Sequence, residues 1–237
     1  MGLQAPVRYD EVTGSTQATA LEMASAGAPE WTLVAAGHQT GGRGRLGRTW
    51  SDEPGRALMF SIVLRPELDP DAGGLLTLLA GTSVAEACRT VTGRRATCKW
   101  PNDVIVDGRK AAGILAESRI AEDRFEHVAL GVGVNLGRPP ADIPGAGAVQ
   151  AEPAELLEGF IEAFVRGYRP SDPGFARAVT SAHADVSATL GTHVRATVEH
   201  GAVIEGDAVA LDARGGLVVR TTSGERVVRF GEVEHLE

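Results

Sequence analysis

The chain has little cysteine, no long apolar run and no excess of positive charge. Its two cysteines, Cys88 and Cys98, form no CxxC pair and no metal-ligand spacing, so they read as reduced thiols of a cytoplasmic protein. No stretch approaches the roughly 20 apolar residues of a membrane span. The start, "MGLQAPVRYD", has no apolar signal-peptide core, and Pro6 stands where a myristoylation motif requires Ser or Thr. A membrane partner is therefore not expected. The six histidines are scattered and include no HExxH, which argues against a histidine-bound catalytic metal. There is no GxxxxGK[ST] loop. "GVGVNLG" spaces its glycines as G-x-G-x-x-x-G, which is not the dinucleotide fingerprint. A formal net charge of −8 and a pI near 5.3 argue against general nucleic-acid affinity, so no nucleic-acid partner is expected.

What remains is a globular composition, 43% hydrophobic and 23% charged, over 237 residues. That length fits one large domain, or one domain with a small appendage. Apolar runs bounded by turn residues predict strands at "VRYDEV", "WTLVAAGHQ", "ALMFSIVLRP", "ATCKW" and "EHVALGVGVNL". "DVIVDGRKAAGILAES" reads as a hairpin around Asp107-Gly108. Helices are predicted at "STQATALEMASAG", "LLTLLAGTSVAEACRTVTG", "PAELLEGFIEAFVRGY" and "DPGFARAVTSAH". From about residue 186, "THVRATV", "GDAVALD", "GGLVVRT" and "ERVVRFG" are short alternating segments between turn residues, which reads as a small β-barrel. The expected class is α+β: a mixed β-sheet with packed helices over 1–185, then a β module over 186–237.

Four clusters carry chemistry. Gly14-Ser15-Thr16-Gln17 lies at a helix start, where free N–H groups favour an anion and the hydroxyls can donate. Residues 41–48 hold four glycines and three arginines, Arg43, Arg45 and Arg48. Guanidinium forks suit phosphate and carboxylate, and glycine lets backbone close on a ligand. Trp50, just beyond, can stack on a base or pack in the core. "KWPNDVIVDGRKAAGIL" brings Lys99, Asn102, Asp103 and Lys110 together across a turn and a hairpin, and strand parity decides which face Lys110 shows. In "GVGVNLG", Gly131 and Gly133 allow close backbone approach, and Asn135 reads as a buried hydrogen-bonding group.

"GRGRLGR", "KWPND" and "KAAGIL", in this order and followed by a G-x-G-x-N strand, resemble the signature segments of the biotin–protein ligase family. The resemblance covers nearly the whole chain. It implies a class II synthetase-like catalytic fold with a C-terminal SH3-like domain. It also implies a monofunctional type, because Ser15 comes too early for an N-terminal winged helix. The implied reaction has two steps: ATP and biotin give biotinyl-5′-AMP and pyrophosphate, and a lysine of a biotin carboxyl carrier domain then takes the biotinyl group. The resemblance places Ser15, Thr16, Gln17, Gln39, Gly42, Arg43 and Gly113 around biotin, although Gln17 stands where the family usually has Asn. It places Arg45, Arg48, Trp50, Asn102 and Asn135 on the ATP or adenylate side. Lys110 would bridge the biotin carboxyl and the α-phosphate, with Lys110 and Arg45 as the catalytic pair. Asp103 would organise Mg²⁺ or the loop. A homodimer is admitted but not required.

The competing readings are a lipoate–protein ligase and a biotinyl-adenylate-binding regulator. Two further expectations concern mobility and the C-terminal module. Residues 41–48 should be loose without ligand and order on binding. The module should serve carrier docking or catalysis without holding biotin, so that its removal, if the core stays folded, spares some ligand affinity while impairing biotin transfer.

Overall fold

The structure, a computed structural model, describes residues 5–140, 143–198 and 201–236. Residues 1–4, where neither leader nor acylation motif is read, lie outside it. The first strand, β1 (Val7–Thr13), runs into helix α1 (Thr16–Ser25). Ser15 caps this helix, its hydroxyl accepting from the Ala18 N–H at 3.4 Å. Strand β2 (Leu33–Gln39) follows, then a glycine- and arginine-rich loop, then β3 (Ala57–Leu64). Helix α2 (Gly74–Thr92) stops at Gly93, whose φ of 71° closes the last turn on Arg89. Next come β4 (Ala96–Lys99), β5 (Asp103–Val106), β6 (Arg109–Ala121) and β7 (Arg124–Asn135). Helices α3 (Pro153–Gly167) and α4 (Phe175–Asp185) complete the larger part.

These strands form one seven-stranded mixed sheet in the order β1-β2-β3-β7-β6-β5-β4. The β1–β2 pair is parallel and the other pairs are antiparallel. One face, with Leu58, Phe60, Ile62, Val132 and Val134, packs into the main core with α2 and α3. The other face is covered only in part. There α1 sets Ala20 and Ala24 on Val34, Val63 and Ala129. The uncovered remainder of that face is where the cavity forms.

Two features depart from the sequence reading. The strands read as ending at Ser118 and beginning at Glu126 continue to a tight hairpin at Glu122-Asp123, with φ of 49° and 58°. Neither residue is glycine, so the usual signal of a two-residue hairpin is missing. Asp107 and Gly108, with φ of 51° and 73°, form the hairpin that the sequence does announce. The C-terminal module is a five-stranded sheet, ordered β11-β10-β9-β8-β12. Its strands are β8 (His193–Thr197), β9 (Val203–Leu211), β10 (Leu217–Thr221), β11 (Gly224–Val228) and β12 (Glu232–His235). Among the described residues no ladder joins β11 to β12, and the antiparallel five-stranded sheet is consistent with the expected SH3-like module. The last strand, β12, was not separated from its neighbours in the sequence.

Candidate active site

Strand order explains the glycines of β6 and β7. Gly113 pairs with Gly133, and Leu115 with Gly131, on the face that α1 leaves open. A methyl group at Gly133 would lie 2.6 Å from Trp50 Cε2, and one at Gly131 would lie 2.5 Å from Gln17 Oε1. One at Gly113 would lie 3.1 Å from Trp50 Cζ3. These glycines clear space in which Trp50 lies against the sheet and Gln17 reaches across it, as the close-approach reading of Gly131 and Gly133 expects.

Lys110 reaches the same face through a backbone irregularity. Val104 pairs with Ala112 and Ile105 with Lys110, so Ala111 is an extra, unpaired residue, a β-bulge. By strict alternation Lys110 would share the core face of Ala112 and Ile114. The bulge turns it to the side of Gly113, where an added methyl would sit 3.6 Å from Lys110 Cε. The Lys110 ammonium forms a 2.7 Å ion pair with Asp103. Its backbone is held on both sides: its N–H donates to the Gly145 carbonyl at 3.2 Å, and its carbonyl accepts from the Gly147 N–H at 2.7 Å.

These groups line a cavity of about 310 Å³. Its floor is polar. Ser61 donates to Thr16 Oγ1 at 3.0 Å and to Gln17 Oε1 at 3.1 Å. Gln17 Nε2 donates to the Ala129 carbonyl at 2.9 Å, and Gln39 Oε1 accepts from the Thr16 N–H at 2.7 Å. The roof is the arginine loop. Arg45 donates to Asn102 Oδ1 and to the Gly231 carbonyl, each at 3.1 Å. Arg43 pairs with Glu117 at 3.2 Å and Arg48 with Glu232 at 2.5 Å. Burial pulls the Arg45 guanidinium below its ordinary pKa, opposed by Asp103 and Glu232, and it remains a cation at neutral pH. The loop thus has a defined path, because carboxylates of β6 and β12 stand opposite its charges.

Of the residues singled out in the sequence, Ser15, Thr16, Gln17, Gln39, Arg43, Arg45, Arg48, Trp50, Asn102, Asp103, Lys110 and Gly113 all line this cavity. Gly42 lies just outside it, along the loop. Asn135 is not among the lining residues. It is buried, as the sequence suggested, and its amide donates to the Gly147 carbonyl at 2.9 Å, bracing the segment that holds Lys110. Missed were Ser61, Glu117 and Glu232. Ser61 had a signal: it is the one hydroxyl in the wholly buried strand β3, and a buried polar group calls for partners. Glu232 had none, since it meets Arg48 only through tertiary packing. It and Val233 also put β12 into the cavity wall. Trp50 Nε1 is buried and has no acceptor among the described residues, which leaves a donor for a bound molecule.

A hydrogen-bonding floor, a bulged lysine beside a carboxylate, and arginines overhead define an enzyme-like site for a ligand with a polar head and an anionic tail. Residues 9–135 match the Biotin/lipoate A/B protein ligase family, and residues 189–236 match the Biotin protein ligase C terminal domain. The chain belongs to the biotin/lipoate A/B protein ligase family. It is 34% identical over 239 residues to the biotin–[acetyl-CoA-carboxylase] ligase of Paracoccus denitrificans, covering 93% of this chain and 97% of that one. It is 32% identical over 237 residues to the bifunctional ligase/repressor BirA of Bacillus subtilis, covering 95% of this chain and 73% of that protein. The biotin protein ligase of Aquifex aeolicus, solved in complex with biotin and ATP, superposes with a TM-score of 0.76 at 26% identity, with 98% of each chain covered.

Proposed function

We propose that this chain is a biotin–protein ligase that works in two steps within this cavity. The biotin carboxylate attacks the α-phosphorus of ATP and expels pyrophosphate, giving biotinyl-5′-AMP. The amine of a carrier lysine then attacks the acyl carbonyl and expels AMP. The observation that carries the reading is the meeting, in one cavity, of a hydrogen-bonding floor with the cations of Lys110, Arg45 and Arg48. The first step needs no general base, because a carboxylate is already ionised at neutral pH. It needs charge neutralisation and alignment, which fixed cations supply. In this reading Lys110 bridges carboxylate and phosphate, exchanging Asp103 for the ligand. Arg45 and Arg48 neutralise the phosphates, and the free Trp50 N–H and Asn102 serve the nucleotide.

The floor favours biotin over lipoate. Ser15, Gln39 and Ser61 are hydrogen-bonding groups, and a ureido ring offers them two donors and an acceptor. A dithiolane offers neither donor nor acceptor to the hydrogen-bonding capacity these groups keep beyond their internal bonds, which favours biotin. Mg²⁺ belongs with the nucleotide in this reading. Among the described residues no group of three or more His, Cys, Asp or Glu gathers for a metal, and Mg²⁺ commonly binds through one or two carboxylates plus substrate phosphates. Asp103 is the carboxylate that fits. Residues 1–185 are taken as the catalytic region and 186–237 as a module that supports carrier binding and closes the cavity from β12. The protein substrate is a biotin carboxyl carrier domain. Among the described residues no helix is long and apolar enough to cross a membrane. The deciding experiment is biotin-dependent exchange of labelled pyrophosphate into ATP by the purified chain, with lipoate in parallel. Exchange with lipoate alone would move the chain to the other branch of the family.

A further inference from the structure

A loop with so many glycines can act on a ligand only if both of its ends are fixed. The outgoing end of residues 40–50 is tied to neighbouring backbone. Thr40 N–H donates to the Thr13 carbonyl at 2.9 Å, and Gly41 N–H to the Gly14 carbonyl at 2.8 Å. The returning end closes on the outgoing one, with Trp50 N–H donating to the Gly42 carbonyl at 3.0 Å. At the base of both ends lies a hydrogen-bonded carboxylate–imidazole pair outside the cavity. The Asp52 side chain is 0% exposed, and its Oδ2 meets His38 Nδ1 at 2.9 Å. Its Oδ1 accepts from the Gln39 N–H at 3.3 Å. A carboxylate buried so completely needs such partners, since an unpaired buried charge is strongly unfavourable. Gln39 in turn holds both the Thr16 N–H and the Thr16 hydroxyl through its Oε1, at 2.7 and 3.1 Å. One carboxylate therefore joins the strand that leaves for the loop, the segment that returns from it and, through Gln39, the cavity floor.

We propose that Asp52, held by His38, is a positioning residue that clasps the base of the arginine loop and so determines how long the acyl-adenylate stays enclosed. The proposal rests on the ligase reading above. Neither residue lines the cavity. Their effect passes through Gln39 on one side and Trp50 on the other, and Trp50 has little freedom because it already lies against Gly113 and Gly133. Loosening the clasp moves the roof relative to the floor. Displacements of about 1 Å at such a distance from the chemistry are enough to cost large factors in rate or retention.

The test uses the full chain as Asp52→Ala, His38→Ala, the double variant and Asp52→Asn, each first shown to unfold cooperatively. Asp52→Asn keeps the shape and an acceptor for Gln39, so it serves if the alanine variant does not fold. After a single turnover with biotin and ATP, biotinyl-5′-AMP released to solution is measured against biotin transferred to a carrier domain. Asp52→Ala should raise the released share at least about tenfold, while KM for the carrier stays within about twofold. Asp52→Asn should fall between Asp52→Ala and the parent. The double variant should be no worse than Asp52→Ala, because His38 acts through Asp52. Unchanged release, or fully additive effects, would overturn the clasp. A second readout needs no ligand: trypsin cleavage after Arg43, Arg45 and Arg48 should be at least about tenfold faster in Asp52→Ala, since cleavage follows the population of the open form. If the parent chain makes no adenylate, the ligase reading fails while the trypsin comparison still decides the clasp. Equal cleavage in parent and variant defeats the clasp whatever the ligand.

Discussion

Lys110 owes its position to a single residue, Ala111. The bulge there turns the lysine out of the core face and sets it beside Asp103 and Gly113. In the proposed reaction, loss of the ammonium removes the preorganised partner of the charge that develops between carboxylate and α-phosphate. Lys110→Ala should therefore cut single-turnover adenylate formation by at least about 10²-fold while the chain stays folded. Near-normal adenylation by a folded variant would remove Lys110 from the chemistry. Gly133 makes the opposite demand, for an empty space. Gly133→Ala places a methyl 2.6 Å from Trp50 Cε2, and overpacking of this kind typically costs about 1–3 kcal/mol. Urea unfolding should show that loss, and nucleotide affinity should weaken with it as Trp50 is displaced. Unchanged stability would mean that Trp50 can leave the sheet freely.

Helix α4 lies against α2 and carries a histidine in the contact. His183 is 2% exposed, and its Nδ1 lies 3.4 Å from the Leu78 carbonyl. Burial lowers its pKa from 6.5 to about 4, opposed by that backbone contact. The folded chain therefore takes up this proton less readily than the unfolded one. The contribution is fully present above about pH 6.5 and is lost as the pH falls towards 4. A shift of this size corresponds to about 3 kcal/mol at most. His183→Phe should flatten the stability profile between pH 6.5 and 4 in chemical denaturation series, relative to the parent chain. An unchanged slope would show that α4 detaches before it titrates.

The larger sheet and the C-terminal sheet share one continuous core, which includes Trp100 and Leu78 together with Val194, Leu217 and Val219. Trp100 donates through Nε1 to the Gly215 carbonyl and through its backbone N–H to Thr189 Oγ1, each at 3.0 Å. Cys98 N–H donates to the Val186 carbonyl at 2.8 Å. Cutting after residue 185 would strip the edge strand β4 of these partners and bare the Trp100 side of the core. The fragment 1–185 should therefore lack cooperative unfolding and tight adenylate binding, a harsher outcome than the sequence suggested for loss of the module. Calorimetry and adenylate titration of the fragment check this. A soluble, cooperatively folding fragment that binds the adenylate as the whole chain does would show that the two sheets are independent.

The elements that local physics controls could be read from the residues in order. Capping residues, a long apolar run and helical spacing marked the helices, Ser15 and Gly93 marked two of their ends, and Asp107-Gly108 marked a hairpin. The motifs located the arginine loop, the Lys99–Lys110 segment and the paired glycines, because each is a concentration of residue types with a clear chemical use. Propensity and spacing carry no information about which strand lies beside which. Insertion of β7 between β3 and β6 brings Gly131 to Gln17 and Gly133 to Trp50. The bulge that aims Lys110 is visible only once β5 and β6 are in register. Glu232 reaches Arg48, and Asp52 reaches His38, across turns whose geometry no short window of sequence contains. The residue types gathered at the candidate site, and the local elements that carry them, were thus determined by the sequence itself, through local preference and side-chain type. Which of them share a cavity, and which carboxylates hold them there, was decided by long-range strand pairing and burial.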